Sequence, residues 1–330
     1  MKGTCTESVT IDVDDLTLIG VGAATIDGSK SRSEAVLLID GARGFTVENL
    51  VVQNGADQGI LAQRQAQGVL RNVTATRNGT VGLAVDRSHL EIEDVTLDMN
   101  GGGGMDAFSS STVVAFGDIR ANNNTGSGLV ANGKTFFEIR GARVVAEQNV
   151  GSGVSIINDS RLQIFSFPEA QGSTIHAIGN GFAGIGLAGA ELSVVGEQFS
   201  GSGANVITAS DNALFGFFMP AGAIFSPHAT AKFVASGNGV GMLMEDGANA
   251  LIIGGLNVQG NGAGISAVGA GTLTLVSVEP NPSTVDGNRL DLDLGFGTRA
   301  TVNGVLATSV MCDGTNLLRG TLACPPVAER

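Results

Sequence analysis

The chain has 330 residues, with 18 Lys and Arg against 31 Asp and Glu, a net charge of −13 and a pI near 4.6. That balance argues against nucleic acid as a partner, because phosphate recognition needs a clustered positive surface. Fifty glycines beside 43% hydrophobic residues exclude collagen and a disordered linker, and the longest apolar stretches, such as 214–225, are too short to span a bilayer.

In chain order, the first twenty residues show no basic stretch followed by an apolar run, so the chain as given is read without a secretion signal or transmembrane segment. Residues 1–34, which include Cys5, are expected to cap the N-terminal end of a repeat array. From residue 73 one frame recurs: an apolar residue, Asn five positions later, Gly four after that. It appears as Val73/Asn78/Gly82, Val95/Asn100/Gly104, Ile119/Asn124/Gly128, Val144/Asn149/Gly153 and Ile175/Asn180/Gly184. One residue is lost before the glycine in Phe233/Asn238/Gly241 and Leu256/Asn261/Gly264. From Gly59 the glycine steps are 23, 22, 24, 25, 31, 57 and 23, the 57 counting as two turns.

A short alternating run follows each of these glycines, as at 60–63, 83–86, 105–108, 129–132, 154–157 and 242–245. A second run comes after it, as at 90–92 and 162–164, and the frame residues form a third. Three period-2 strands per turn of about 23 residues predict an all-β fold, a parallel β-solenoid of about a dozen coils over residues 35–308 in a single domain. Two positions past each frame residue lie Ala75, Leu97, Ala121, Ala146, Ala177, Ala235 and Val258, a column of small side chains suited to a narrow interior. The Asn column is read as structural, with stacked amides bonding one another and the turn backbone. Phenylalanines gather where coils lengthen: Phe165 and Phe167 before an expected bulge at 168–173, then Phe215, Phe217, Phe218 and Phe225. At least half of these are expected inside, the others forming an apolar patch for a lipid-like ligand or a partner subunit, including a second copy. Residues 309–330 are expected to cap the C-terminal end. Cys312 and Cys324 either close that cap with a disulfide, which implies an oxidising compartment, or remain thiols with Cys5.

The pattern of Asn and Gly turns followed by Gly-Ile-x-Leu-type strands, over roughly residues 8–308, resembles the right-handed parallel β-helix proteins of the pectin-lyase-like superfamily. The resemblance implies a secreted or cell-surface protein. Many members are polysaccharide lyases, hydrolases or epimerases that bind glycan beside the first strand of each coil; others are structural or adhesive, and fold does not decide between them. The catalytic combination of Asn-Thr-Asp, Asp-Asp and Gly-His-Gly that marks the hydrolases and the Asp-Pro-His motif of the epimerases are absent here.

If the residue after each glycine points inward, the outward row of the first strands is mostly apolar, and Gln63, Asp86, Asp106 and Asn132 form its polar patch. Arg64, Arg87 and Lys134 lie just beyond the strand ends. Asp86, Asp106, Arg87 and Lys134 are therefore the candidate catalytic residues, and Gln63, Arg64 and Asn132 the candidate substrate-binding residues. Two neighbouring carboxylates flanked by cations suit acid/base chemistry on a sugar or, with backbone oxygens, a Ca²⁺ ion, and their proximity is expected to raise the pKa of one. Ordinary solvated surface charge is the competing reading. His89, His176 and His228 have no partner at metal-ligand or triad spacing. The lack of Trp and Tyr counts against sugar binding. Two functions follow: a β-helix that binds or processes a polysaccharide, or a non-catalytic interaction solenoid with an apolar face through which copies associate.

Overall fold

In the computed structural model the frame becomes a coil. The structure describes all residues except 167–171, 197–204, 228–230, 270, 280, 316 and 326–330. Among the described residues the runs after each glycine stack in parallel into a 13-stranded first sheet, from Val9–Ile11 to Val310–Cys312. The second and third runs of each coil stack in the same way, and strands such as Arg43–Gln53 and Gln67–Thr76 carry the chain around the corner between them.

Alternation decides what lies inside. In Met105–Phe108, Leu129–Asn132 and Val154–Ile157 the first and third residues are buried and the second and fourth only partly so. The frame residues stack in register, Val95 on Ile119, then Val144, Ile175, Ile207, Phe233 and Leu256. Ala75, Leu97, Ala121, Ala146, Ala177, Ala235 and Val258 form the expected inner column, all fully buried. Ile207, Asn212 and Gly216 supply the turn inside the 57-residue step, at the same spacing as the other frames.

The turn asparagines form one buried ladder. The backbone N–H and side-chain Nδ2 of each donate to Oδ1 of the next, from Asn78 through Asn100, Asn124, Asn149, Asn180, Asn212, Asn238 and Asn261 to Asn288. Nδ2 also donates to a main-chain carbonyl of the preceding coil, as from Asn124 to Leu97 and from Asn149 to Ala121. Every polar atom of these buried amides is thereby satisfied, which a buried amide requires. The glycine column follows from the ladder: a Cβ on Gly128 would lie 2.6 Å from the Gly153 carbonyl oxygen and 2.9 Å from Asn149 Nδ2.

At the first end of the ladder Asn78 Oδ1 accepts from the Gly55 N–H. At the other, Asp291 stands where earlier coils have glycine. Its carboxylate is buried and accepts from Asn288 N and Nδ2, Thr308 N and Oγ1, and Ser309 N. Burial alone would raise the Asp291 pKa; the bonds from Thr308, Ser309 and Asn288 outweigh it and hold the carboxyl below its ordinary value.

The residues expected as caps continue the stack. Val9–Ile11 pairs with Ala35–Asp40, and Thr17–Ile19 and Thr25–Asp27 pair with Arg43–Gln53. At the far end Val310–Cys312 and Leu317–Gly320 add a last layer. There Cys312 and Cys324 form a disulfide with Cα atoms 5.8 Å apart, while the Cys5 thiol donates to Glu7. Phe217, Phe225 and Phe233 pack together in the interior, whereas Phe215 and Phe218 meet Phe182 on the outside. Phe167, His228 and most of the expected 168–173 bulge lie outside the described residues. No helix among the described residues is long and apolar enough to cross a membrane.

Candidate functional site

Two outward rows run along the first sheet. One passes through Asp40, Gln63, Asp86, Phe108, Asn132 and Ile157; the other through Leu61, Ala84, Asp106, Val130 and Ser155. The expected polar residues are therefore divided. Phe108 stands between Asp86 and Asn132, and Asp106 lies in the other row between Ala84 and Val130. Asp86 and Asp106 are diagonal neighbours: one strand spacing and two residues along put their Cα atoms roughly 8 Å apart.

The cations sit at a shared corner of the coil. Arg64, Arg87 and Lys134 have φ of 58°, 46° and 64°, so each takes the left-handed turn after its first strand and is exposed. Arg87 Nη2 lies 2.7 Å from Asp86, and Arg64 Nη1 lies 2.9 Å from Asp40. Gln63 also donates to Asp40, and Asn158 donates to Asn132 Oδ1 at 2.8 Å. Asp40 and Asn158 were not singled out in the sequence. Asp40 occupies the Gln63–Asp86 row one coil earlier, so extending the alternation one coil back would have found it.

Asp106 is the unusual member. Its side chain is half-buried and its Oδ1 is enclosed without a hydrogen-bond partner. Burial pushes its carboxyl above the ordinary value. The cause is desolvation, not the expected repulsion from Asp86. The surroundings explain it: Ala35, Leu61 and Ala84 form a buried apolar cluster on this outer face, with Leu38 and Phe108 packed against it.

Calcium does not fit this arrangement. Ca²⁺ takes six to eight oxygen ligands. Among the described residues no group of three or more His, Cys, Asp or Glu is placed to hold a metal ion, and the Asp86 carboxylate is already paired with Arg87. His89 lines an open groove of about 390 Å³ with Arg43, Gln65 and Arg87, but a groove of the same volume recurs at the same corner beside Arg161 and Glu191. The groove is thus a feature of the coil and distinguishes no site.

Residues 14–144 match the family model described as right handed beta helix region. The fold of the chain is a right-handed parallel β-helix. Among solved structures this β-helix is similar to the catalytic domain of a GH87 alpha-1,3-glucanase variant in complex with tetrasaccharides, at 12% identity and a TM-score of 0.36, with 98% of this chain and 64% of that chain covered. It is also similar to the catalytic unit of a thermostable GH87 alpha-1,3-glucanase from Streptomyces thermodiastaticus, at 12% identity and a TM-score of 0.32, with 98% and 61% covered. The β-helix spans about three fifths of the length of those two chains. A search of the curated proteins gave no match.

Proposed function

We propose that the protein binds a polysaccharide along the outer face of the first sheet and hydrolyses it, with Asp106 as proton donor and Asp86 as its partner across the reacting bond. The observation that carries this reading is the half-buried Asp106 carboxyl with its enclosed, unpartnered oxygen. Desolvation favours the protonated form, which can donate to a glycosidic oxygen. Asp86 is paired with Arg87, and the diagonal offset leaves room for a water between the two groups, as inverting hydrolysis requires. Asn132, held by Asn158, and Gln63, held by Asp40, present amides to sugar hydroxyls. Lys134 lies at the margin. The disulfide supports an extracellular or cell-surface location.

The test is reducing-sugar release across a polysaccharide panel by the parent and by Asp106→Asn. Loss of activity in a variant that keeps its melting temperature is expected; an active Asp106→Asn would sink the assignment. A non-catalytic solenoid that self-associates is favoured instead by Leu38 and Phe108, which lie half-buried over the apolar cluster of this face. A dimer in sedimentation equilibrium, dispersed by Leu38→Asp, together with an inert parent, would select that reading.

A further inference from the structure

From Asp106 toward the C-terminal end, the two outward rows lose their charge. One continues through Val130, Ser155 and Gly186 to Phe218, the other through Asn132, Ile157 and Ala188. No ionisable side chain lies in either row over this stretch. It ends at an aromatic cluster of half-buried rings: Phe215 and Phe218 stack with centroids 4.9 Å apart, and Phe182 meets them edge-on at 5.5 and 5.1 Å. Gly186, which precedes Phe218 in its row, has no side chain and leaves a step at that ring's edge. Leu214, which hydrogen-bonds through its backbone to Phe182, is 46% exposed and widens the apolar surface.

The charges that do face the sheet are arranged against an anionic polymer. Arg64 and Arg87 are paired with Asp40 and Asp86, so they are not available to neutralise uronates. Asp106 borders the stretch on one side, and Glu245 and Asp293 follow it on the other. A polyuronate laid along this face would meet the Glu245 and Asp293 carboxylates beyond one end and no cation in the two rows before them, Lys134 standing outside the rows at the corner. An uncharged sugar chain meets amides, a hydroxyl and ring faces on which the C–H side of a pyranose can pack.

We infer that the ligand is a neutral polysaccharide lying parallel to the helix axis, with the Phe182–Phe215–Phe218 cluster as a subsite four strand spacings, roughly 19 Å, from Asp106. This rests on the reading of Asp106 as the reacting end and adds substrate class and direction. The subsite engages only chains long enough to reach it.

The experiment is calorimetric titration at two salt concentrations of the parent, Phe218→Ala and Phe182→Ala, each checked by circular dichroism for an intact β-solenoid. The probes are dextran and laminarin as neutral polymers, their trisaccharide fragments, and polygalacturonate as the anionic polymer. The inference expects a neutral polymer to bind with little salt dependence, to bind about tenfold more weakly in the Phe218→Ala chain, and its trisaccharide to bind both chains alike. Phe182→Ala, in a turn outside the sheet, should show the same length-dependent loss. Binding of polygalacturonate alone, or neutral-polymer binding untouched by both variants, overturns the inference and leaves the Asp106 reading standing. Absence of binding to any probe overturns both.

Discussion

The two corners that flank the first strand of each coil solve the same turning problem in opposite ways. Before the strand, the chain turns on a buried asparagine whose amide is fully engaged with the coils on either side. After the strand, it turns on exposed left-handed residues whose identities drift from Arg64 to Arg87, Lys134, Asn158, Ala221 and Phe296. The first corner admits one side chain because the side chain makes the turn. The second is set by backbone geometry, so its side chains are left to charge and chemistry. A solenoid can thus hold its fold on one edge while another edge varies.

The sharpest way to break this comparison is to remove one rung. Asn149→Ala strips the acceptor from Asn124 N and Nδ2, removes the side-chain donor from the Ala121 carbonyl and leaves Asn180 Oδ1 with only the backbone N–H of its two donors. Several buried orphans at once should lower stability by about 3 kcal/mol or more in urea unfolding. A loss below 1 kcal/mol would show the ladder to be ornamental.

Next in size is the end of the ladder. Asp291→Asn replaces a carboxylate oxygen that accepts three bonds with a group that donates, so Thr308 and Ser309 lose their acceptor. The expected loss is about 1–3 kcal/mol at neutral pH, with faster amide exchange over residues 306–312. The sign with pH is fixed by the lowered native pKa. The carboxylate contributes fully above its unfolded value near 3.9 and loses that contribution as pH falls through its lower folded value. Acid should therefore loosen this end in the parent, and the Asn variant should lack that step. Asp106, with its pKa raised by burial, has the reverse sign: its ionisation opposes folding as pH rises, so Asp106→Asn should hold or gain stability at neutral pH.

The smallest effect belongs to the other corner. Arg64→Ala breaks an ion pair whose Arg side chain is 69% exposed and should change stability by no more than about 0.5 kcal/mol, read by the same unfolding curves. An effect rivalling Asn149→Ala would erase the distinction between the corners.

The same distinction explains what the sequence disclosed. The Asn–Gly frame was legible because, short of the last rung at Asp291, a buried amide ladder and a close-approaching glycine tolerate no substitute. Even the turn at Ile207, Asn212 and Gly216, passed over inside a long step, keeps the spacing. The inward and outward assignment followed from the period of two. What alternation does not encode is the neighbour one coil away. The registers that set Phe108 between Asp86 and Asn132, and surround Asp106 with Ala84 and Val130, depend on loop lengths between coils. So does the enclosure of Asp106. The pairing of Arg87 with Asp86 is a side-chain choice at a corner where the fold imposes none.

The ladder also bears on how long the molecule stays chemically intact. Asn78, Asn100, Asn180, Asn238 and Asn261 are each followed by glycine, the neighbour that least hinders attack of a backbone nitrogen on the asparagine side-chain carbon to form a succinimide and release ammonia. In the coil that nitrogen is occupied, Gly79 donating to Gly55, Gly101 to Asn78 and Gly181 to Asn149, while the amide it would attack is pinned by its ladder bonds. Ring closure requires the rung to open first, so the array that sets the shape also slows its own ageing. Asn132, followed by Gly133, lies outside the ladder and is half-buried with its Oδ1 bound to Asn158. Spontaneous deamidation there would place a new negative charge one coil from Asp106, in a stretch of sheet that otherwise carries none.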